Sequence, residues 1–288
     1  MNVTHINEVT AAAKPIYRGM DRATLDAAYN NSAAVIDSPQ WLDNWKRRSE
    51  ASRNMPGAEL DVPYAPRART RFDYFPSGTE HAPLFVFIHG GYWQRNAKEL
   101  FSFLSEGPRP HGIDVVMLGY TLAPEASLTQ IVAEIQQALS HLEQHAGDFG
   151  FDASRMHVGG WSAGGHLAAL AGRWPHVKSS LCISGIFDLE PISLSYLNEA
   201  LQLTRDEIQA LSPLSHLPTR TAPHCLAVGG DELSELQRQS ADYTAAAVRQ
   251  NLSIKLKTLP GHNHFSILDE LANPDGALTR ELVKLVFG

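Results

Sequence analysis

The predicted fold is decided by the stretch Met156-His157-Val158-Gly159-Gly160-Trp161-Ser162-Ala163-Gly164-Gly165-His166-Leu167. It predicts a short apolar strand, a turn with Ser162 at its tip, and a helix that begins near His166. This order is typical of a nucleophile elbow, in which a strained backbone holds a serine oxygen above a sheet. Gly160 and Gly164 fit the elbow because a side chain at either position would collide where the helix folds back against the strand.

The composition is that of a globular protein. The chain has 288 residues, of which 43% are hydrophobic and 19% charged, enough for one large α/β domain or two small ones. The net charge of −7 argues against a nucleic-acid partner, because phosphate binding draws on clustered Lys and Arg. No stretch has the apolar length needed to cross a bilayer, so we expect no membrane partner.

The amino terminus and the cysteines predict a cytoplasmic location. Residues 1–8 lack the basic start and the apolar segment of a signal peptide. Cys182 and Cys225 lie in apolar, strand-like runs, and we expect both to be buried free thiols. The sequence does not decide the oligomeric state, and a homodimer is left open because dimers are the commonest homo-oligomers.

Strands and helices alternate along most of the chain. The first 65 residues predict an N-terminal helical arm, with helices near residues 22–34 and 39–53. Apolar strands then alternate with helices from residue 70 onward, except at about 190–220, where helical fragments rich in Leu and Pro are typical of a cap inserted over a sheet. We therefore predict a single α/β domain over residues 1–288, with a mostly parallel central sheet and helices on both faces.

Two adjacent carboxylates follow the predicted strand 225–230. Serine needs a base that takes its proton and an acid that orients the base, and in this order of elements the acid lies between the serine and the histidine. Asp231 and Glu232 both qualify. Glu232 is favoured because the acid often comes three positions after the glycine that ends the strand, here Gly229. Asp231 remains the alternative.

Two histidines follow the last predicted strand, residues 254–259. His264 precedes a helical start and is the expected base, with His262 as the alternative. Histidines at i and i+2 can also bind a metal, but neither an HExxH motif nor a Cys–His cluster accompanies them. The sequence therefore predicts neither a metal nor a cofactor.

Acyl transfer also needs N–H donors that hold the oxyanion. The N–H of Ala163, directly after the serine, is one expected donor. The others are expected from the loop His89-Gly90-Gly91-Tyr92-Trp93, because its glycines let the backbone turn its amides inward.

The loop sequence His89-Gly90-Gly91-Tyr92-Trp93-Gln94 resembles the HGGYW signature of the α/β-hydrolase kynurenine formamidases, or arylformamidases. Residues 119–125, 184–192, 235–240 and 264–265 are also similar to that family, so the similarity spans roughly residues 85–268. The resemblance implies an α/β-hydrolase fold with the nucleophile at Ser162, the base at His264 and the acid at Glu232. Because the family's acid is either Asp or Glu, Asp231 is not excluded.

The resemblance further implies a serine hydrolase that cleaves N-formyl arylamines, above all N-formyl-L-kynurenine in tryptophan catabolism, through a formyl-enzyme. The N–H groups of Gly91, Tyr92 and Ala163 would hold the oxyanion. A formyl group needs almost no acyl pocket, whereas the aromatic amine needs a broad one, to which we expect Tyr92, Trp93 and the cap to contribute.

Two alternatives remain. A carboxylesterase or amidase would act on small aryl esters or anilides; esterases that resemble the hormone-sensitive-lipase group carry HGGG, so Tyr92 and Trp93 count against that group. A binding protein without activity is less consistent with the sequence, because such proteins commonly lose the base or the acid, and here every part is present.

Overall fold

The computed structural model describes residues 14–219 and 222–288, and within them eight strands form one sheet. The strands, in chain order, are β1 Glu59–Pro63, β2 Arg71–Phe75, β3 Leu84–Ile88, β4 Asp114–Leu118, β5 Met156–Trp161, β6 Val177–Ile183, β7 His224–Gly229 and β8 Ile254–Leu259. Their order across the sheet is β1-β2-β4-β3-β5-β6-β7-β8. The strands from β3 to β8 pair in parallel, whereas β1 and β2 pair antiparallel at one edge. The predicted mostly parallel α/β sheet is confirmed.

Helices cover both faces of this sheet. The α-helices are α1 Arg22–Ala28, α2 Asn31–Ala34, α3 Ser38–Arg53, α4 Leu128–Gln144, α5 Ala146–Phe149, α6 Ala163–Ala171, α7 Glu190–Ser193, α8 Asn198–Leu201, α9 Arg205–Leu211, α10 Ser234–Arg249, α11 Asp269–Ala272 and α12 Ala277–Phe287. The 3-10 helices span Lys98–Glu106, Arg109–His111, Ala153–Arg155 and Ser266–Leu268. No helix in the described part of the chain is both long and apolar enough to span a bilayer.

Strand β3 shows why the sheet is buried on both sides. Its residues alternate between two hydrophobic clusters: Leu84, Val86 and Ile88 pack into one, and Phe85 and Phe87 into the other. Successive side chains of a strand point to opposite faces, so a continuous apolar run needs a covered surface on each face. Helices supply both surfaces, and the carboxyl ends of the parallel strands are left as the edge at which a site can form.

The region predicted as a helical arm is only partly helical. Helices α1 to α3 lie within residues 22–53, but Glu59–Pro63 forms the edge strand β1, paired antiparallel with β2. This strand is short and largely exposed, so it lacks the alternating pattern that would reveal it in sequence, and its proline is tolerated at an edge. Residues 1–13 of the predicted arm lie outside the described residues.

Three short helices, α7 to α9, occupy the region predicted as a cap. Thr129, at the start of α4, donates through its N–H and its hydroxyl to the Glu207 carboxylate of α9, both at 3.0 Å. These contacts attach α9 to the start of α4. Residues 220 and 221, at the end of the predicted cap, lie outside the described residues. Cys182 and Cys225 are buried and form no disulfide with each other, as expected.

Candidate active site

Ser162 lies between β5 and α6, at the carboxyl edge of the sheet. Its backbone has φ 58° and ψ −120°, a strained conformation for a residue with a side chain, and Ser162 is 2% exposed. A β-carbon at Gly160 would overlap the backbone of Gly164, and one at Gly164 would overlap the carbonyl of Ile88. The two glycines therefore allow the close approach of helix and strand that the elbow requires.

Glu232 lies in the loop after β7 and is fully buried as a side chain. Its Oε1 accepts hydrogen bonds from the backbone N–H of Gly229 at 2.7 Å and from the hydroxyl of Ser184 at 2.6 Å. Its Oε2 lies 2.7 Å from Nδ1 of His264. The neighbouring Asp231 is exposed. The structure thus brings Glu232, and not Asp231, to the histidine.

His264 is 4% exposed and is held from two sides. Its Nδ1 faces the Glu232 carboxylate, while its backbone carbonyl accepts a hydrogen bond from the indole of Trp161 at 2.8 Å. Because Nδ1 donates to the carboxylate, Nε2 is the nitrogen left to accept a proton. The alternative His262 lies elsewhere, with its Nε2 at 3.5 Å from the Glu270 carboxylate.

The loop after β3 carries three successive residues with positive φ: Gly91 at 117°, Tyr92 at 51° and Trp93 at 59°. Within the described residues, the N–H groups of Gly91, Tyr92 and Ala163 donate no hydrogen bond. Such unpaired donors beside a serine can bind an oxyanion. The structure therefore presents the three predicted donors without competing internal partners.

The carbonyl of Gly90 is held by two side chains. It accepts a hydrogen bond from the Asn96 amide at 3.2 Å, and Nδ1 of His89 lies 2.9 Å away. Burial lowers the pKa of His89 to about 4, so the ring is neutral at pH 7 and its Nδ1 carries a proton to donate. Since a peptide group is planar, fixing the Gly90 carbonyl also fixes the direction of the Gly91 N–H.

Two hydrogen bonds hold the hydroxyl of Tyr92 against the N-terminal arm. This hydroxyl donates to the carbonyl of Tyr29 at 2.6 Å and accepts from the amide of Asn31 at 3.0 Å. Tyr92 lines the cavity that contains Ser162, as its predicted contact with substrate requires. The arm is therefore part of the wall of the site.

The structure places Trp93 differently from its neighbour. Trp93 is fully buried and packs edge-on against His166, with ring centroids 5.0 Å apart. It does not line the cavity, so the structure does not bring it to the position of a substrate contact. The reason is local, since consecutive positive φ values turn Tyr92 and Trp93 to different sides of the loop.

A cavity of about 120 Å³ is lined by Ser162 and His264, together with Tyr92, Arg95 of the same loop and Tyr196 of the cap. A larger cleft of about 500 Å³, bounded by Pro124 and Leu211 among others, contains none of the predicted catalytic residues. We therefore assign the site by its chemistry and not by the size of the cavity. In the described part of the chain, no group of three or more His, Cys, Asp and Glu could hold a metal ion.

Ser184, Asn96 and Asn31 are residues of this site for which the sequence predicted no role. Ser184 directly follows β6, and β6 pairs with β7, the strand that precedes the acid. Its position at the same edge of the sheet as Glu232 could therefore have been predicted from the sequence. The two asparagines act on the oxyanion loop, Asn96 from six residues beyond Gly90 and Asn31 from the N-terminal arm. No pattern in the sequence connects them to the loop.

Comparisons with known proteins identify relatives among the hydrolases. The family model described as BD-FAE matches residues 73–188. The kynurenine formamidase of Salmo salar is 31% identical over 258 residues, which cover 84% of this chain and 86% of that protein. A crystal structure from Silicibacter sp. TM1040, described as a candidate thioesterase, has a TM-score of 0.80 at 28% identity and covers 92% of this chain and 99% of its own. An esterase of Pyrobaculum calidifontis shares the fold, with a TM-score of 0.70 at 17% identity over 88% of this chain and 92% of its own.

Proposed function

Since the chain belongs to the kynurenine formamidase family of α/β hydrolases and is a hydrolase of formamide or ester bonds, we propose that it cleaves the formamide bond of N-formyl arylamines. N-formyl-L-kynurenine is the proposed substrate, with kynurenine and formate as products. This activity belongs to tryptophan catabolism.

The pairing of Glu232 with His264 beside Ser162 is the observation that carries this proposal. A buried carboxylate at 2.7 Å from Nδ1 fixes the tautomer and orientation of the imidazole and stabilises its protonated form. Ser162 and His264 line one cavity, so a substrate bound there would be within reach of both the nucleophile and the base. We assign the roles of nucleophile, base and acid to Ser162, His264 and Glu232.

The reaction then follows in two steps. The Ser162 oxygen attacks the formyl carbon and gives its proton to Nε2 of His264. The oxyanion accepts hydrogen bonds from the N–H groups of Gly91, Tyr92 and Ala163. His264 returns the proton to the departing arylamine nitrogen as the C–N bond breaks, which leaves a formyl ester on Ser162. Water, activated by His264, attacks that ester and releases formate.

The shape of the cavity supports a small acyl group. Its volume of about 120 Å³ is well below that of drug-sized ligand pockets, which start at roughly 300 Å³. Trp161 and Phe265 line the cavity together with Ser162. A formyl group fits this restriction, because it adds only a hydrogen atom beyond the carbonyl. The aromatic amine would extend toward Tyr92 and Tyr196.

The test is the continuous release of kynurenine from N-formyl-L-kynurenine by the wild type and by Ser162→Ala. We expect efficient turnover by the wild type and a loss of about 10⁴-fold or more in Ser162→Ala, with an unchanged thermal unfolding midpoint. A short-chain aryl ester, 4-nitrophenyl acetate, is measured in parallel. Preference for the ester by orders of magnitude in kcat/KM would replace the formamidase assignment with that of an esterase. Activity near the wild-type rate in Ser162→Ala would remove the elbow from the active site.

A further inference from the structure

The charge on the cavity wall differs in sign from the charge of the whole chain. The protein carries a net charge of −7. Among the described residues that line the cavity, however, none is Asp or Glu, and Arg95 is the one Lys or Arg. A site lined by one sign of charge concentrates ligands of the opposite sign. The cavity is therefore suited to an anion.

Arg95 has no carboxylate partner among the residues that the structure describes. Its backbone is fixed by a hydrogen bond from its N–H to the carbonyl of Gly91 at 2.9 Å, whereas its side chain is exposed. The guanidinium is thus carried by the same turn that presents the oxyanion donors. The guanidinium can form a bidentate hydrogen-bonded pair with a carboxylate without first breaking an ion pair.

Tyr196 of the cap lines the same cavity as Arg95. Burial raises the pKa of Tyr196, and the positive charge of Arg95 opposes that rise. The Tyr196 hydroxyl forms no hydrogen bond among the described residues and remains a free donor. Gln94 holds the two segments together, because its side-chain amide donates to the carbonyl of Leu197 at 2.8 Å.

One carboxylate does lie near this part of the site, and it is already engaged. Asp26 of α1 accepts a hydrogen bond from the backbone N–H of Tyr196 at 2.7 Å. It also forms an ion pair with Arg22 at 2.9 Å. Its negative charge is therefore offset by Arg22. Glu232 is paired with His264 and does not line the cavity, so Arg95 is the one Lys or Arg on the described cavity wall and has no acidic residue beside it there.

We propose that Arg95 and the hydroxyl of Tyr196 bind a carboxylate on the leaving group of the substrate, so that this hydrolase selects anionic arylamides over neutral ones. The inference rests on the proposed function for its placement of the substrate. The formyl group carries only a hydrogen atom on its carbonyl carbon and therefore cannot bear a carboxylate. The carboxylate of the substrate must then belong to the amine portion. Arg95 is accordingly a specificity-determining residue, not a participant in bond cleavage.

The experiment uses substrates that differ in one charge. The formamide pair is 4-(2-formamidophenyl)-4-oxobutanoate and its carboxamide, and the ester pair carries an acetoxy group in place of the formamide. We measure kcat and KM for the wild type, Arg95→Gln and Arg95→Lys. Arg249→Gln is the matched control, because Arg249 is exposed at the end of α10 and does not line the cavity.

We expect the wild type to prefer the carboxylate by about tenfold or more in kcat/KM, mainly through KM, since a hydrogen bond to a charged group has about that strength. Arg95→Gln should reduce the preference to about twofold or less, and Arg95→Lys should restore part of it. Arg249→Gln should retain the preference in full. High salt should weaken it, because Arg95 is exposed.

Two results would overturn the inference: a wild type without preference, or an Arg95→Gln variant that keeps it. The ester pair separates this inference from the proposed function. If the formamides are not cleaved but the ester pair shows a preference that depends on Arg95, the formamidase assignment fails and the carboxylate site stands. Thermal unfolding of each variant shows whether the change is confined to binding.

Discussion

Nδ1 of His264 lies 2.7 Å from Oε2 of Glu232, and both side chains are buried. The second oxygen of that carboxylate is fixed by the Gly229 N–H and the Ser184 hydroxyl. A buried carboxylate with three donors has little freedom to rotate, and its negative charge is directed at the imidazole. The adjacent Asp231 shares none of these contacts, so the two carboxylates can be distinguished by experiment.

The first prediction compares Glu232→Gln with Asp231→Asn. Glu232→Gln removes the charge that stabilises the imidazolium and permits the wrong tautomer, so we expect kcat to fall by about 10³ to 10⁴-fold. Asp231→Asn changes an exposed side chain and should stay within about twofold of the wild type. Steady-state kinetics on one formamide substrate measure both. The reverse ranking would transfer the role of the acid to Asp231.

The second prediction concerns Ser184 as a positioning residue. Ser184→Ala removes the 2.6 Å hydrogen bond to Glu232, so the carboxylate is less neutralised by donors and attracts the imidazolium more strongly. The carboxylate is also less firmly oriented toward His264, so we expect kcat to fall by about tenfold, while the acidic limb of the kcat/KM profile moves to higher pH. Ser184 has φ 50°, which disfavours a β-branched side chain, so the conservative variant is Ser184→Cys, which keeps a weaker donor and should recover part of both. An unchanged pH profile would show that Ser184 acts only on stability.

The sequence predicts the sheet and the elbow well, because both follow from local patterns. A run such as Leu84–Ile88 can only be buried on both faces, and the close packing behind Ser162 needs glycine at two defined positions. These constraints are local and do not depend on the rest of the chain. They are the parts of the fold in which local sequence and tertiary packing agree.

Other features depend on turns that the sequence does not specify. The choice between Asp231 and Glu232 is made by the loop after β7, in which the Gly229 N–H meets only Glu232. Tyr92 and Trp93 are adjacent aromatic residues with the same expected role, yet the backbone turns only Tyr92 to the cavity. The hydrogen bond from Asn31 to Tyr92 links distant segments, and no local pattern encodes it.

The third prediction tests the backbone of the oxyanion loop. Gly91 has φ 117°, and a β-carbon there would overlap the carbonyl of Arg95. Gly91→Ala should therefore shift the N–H groups of the loop and lower kcat by about 100-fold or more, as the loss of one oxyanion donor does. Gly78→Ala is the matched control, because Gly78 also has positive φ, at 85°, but a β-carbon there meets no atom within 4 Å. It should destabilise the fold modestly and leave kcat unchanged; equal loss of kcat in both variants would contradict a specific role for Gly91.

The fourth prediction concerns acid stability. The described residues include four buried histidines whose pKa burial lowers from the usual 6.5 to about 4, namely His89, His157, His166 and His224. The unfolded chain therefore binds protons near pH 6.5 that the folded chain does not accept until about pH 4. The stability that these neutral histidines contribute is complete above pH 6.5 and is lost as the pH falls toward 4.

His157 offers the test of this mechanism away from the active site. Its Nδ1 lies 2.7 Å from the Ser179 hydroxyl, and His157→Asn can keep that hydrogen bond without a titrating ring. Each such histidine contributes up to about 1.4 kcal/mol per pH unit, so the free energy of unfolding of His157→Asn should fall less steeply between about pH 6.5 and 5. Urea unfolding across this range measures the slope, and its upper end avoids most carboxylate titration. The exposed His111 is the control, and His111→Asn should keep the wild-type slope. An equal slope in His157→Asn and in the wild type would show that His157 is protonated in the folded protein as readily as in the unfolded chain, and the acid sensitivity would then have to come from the other three histidines.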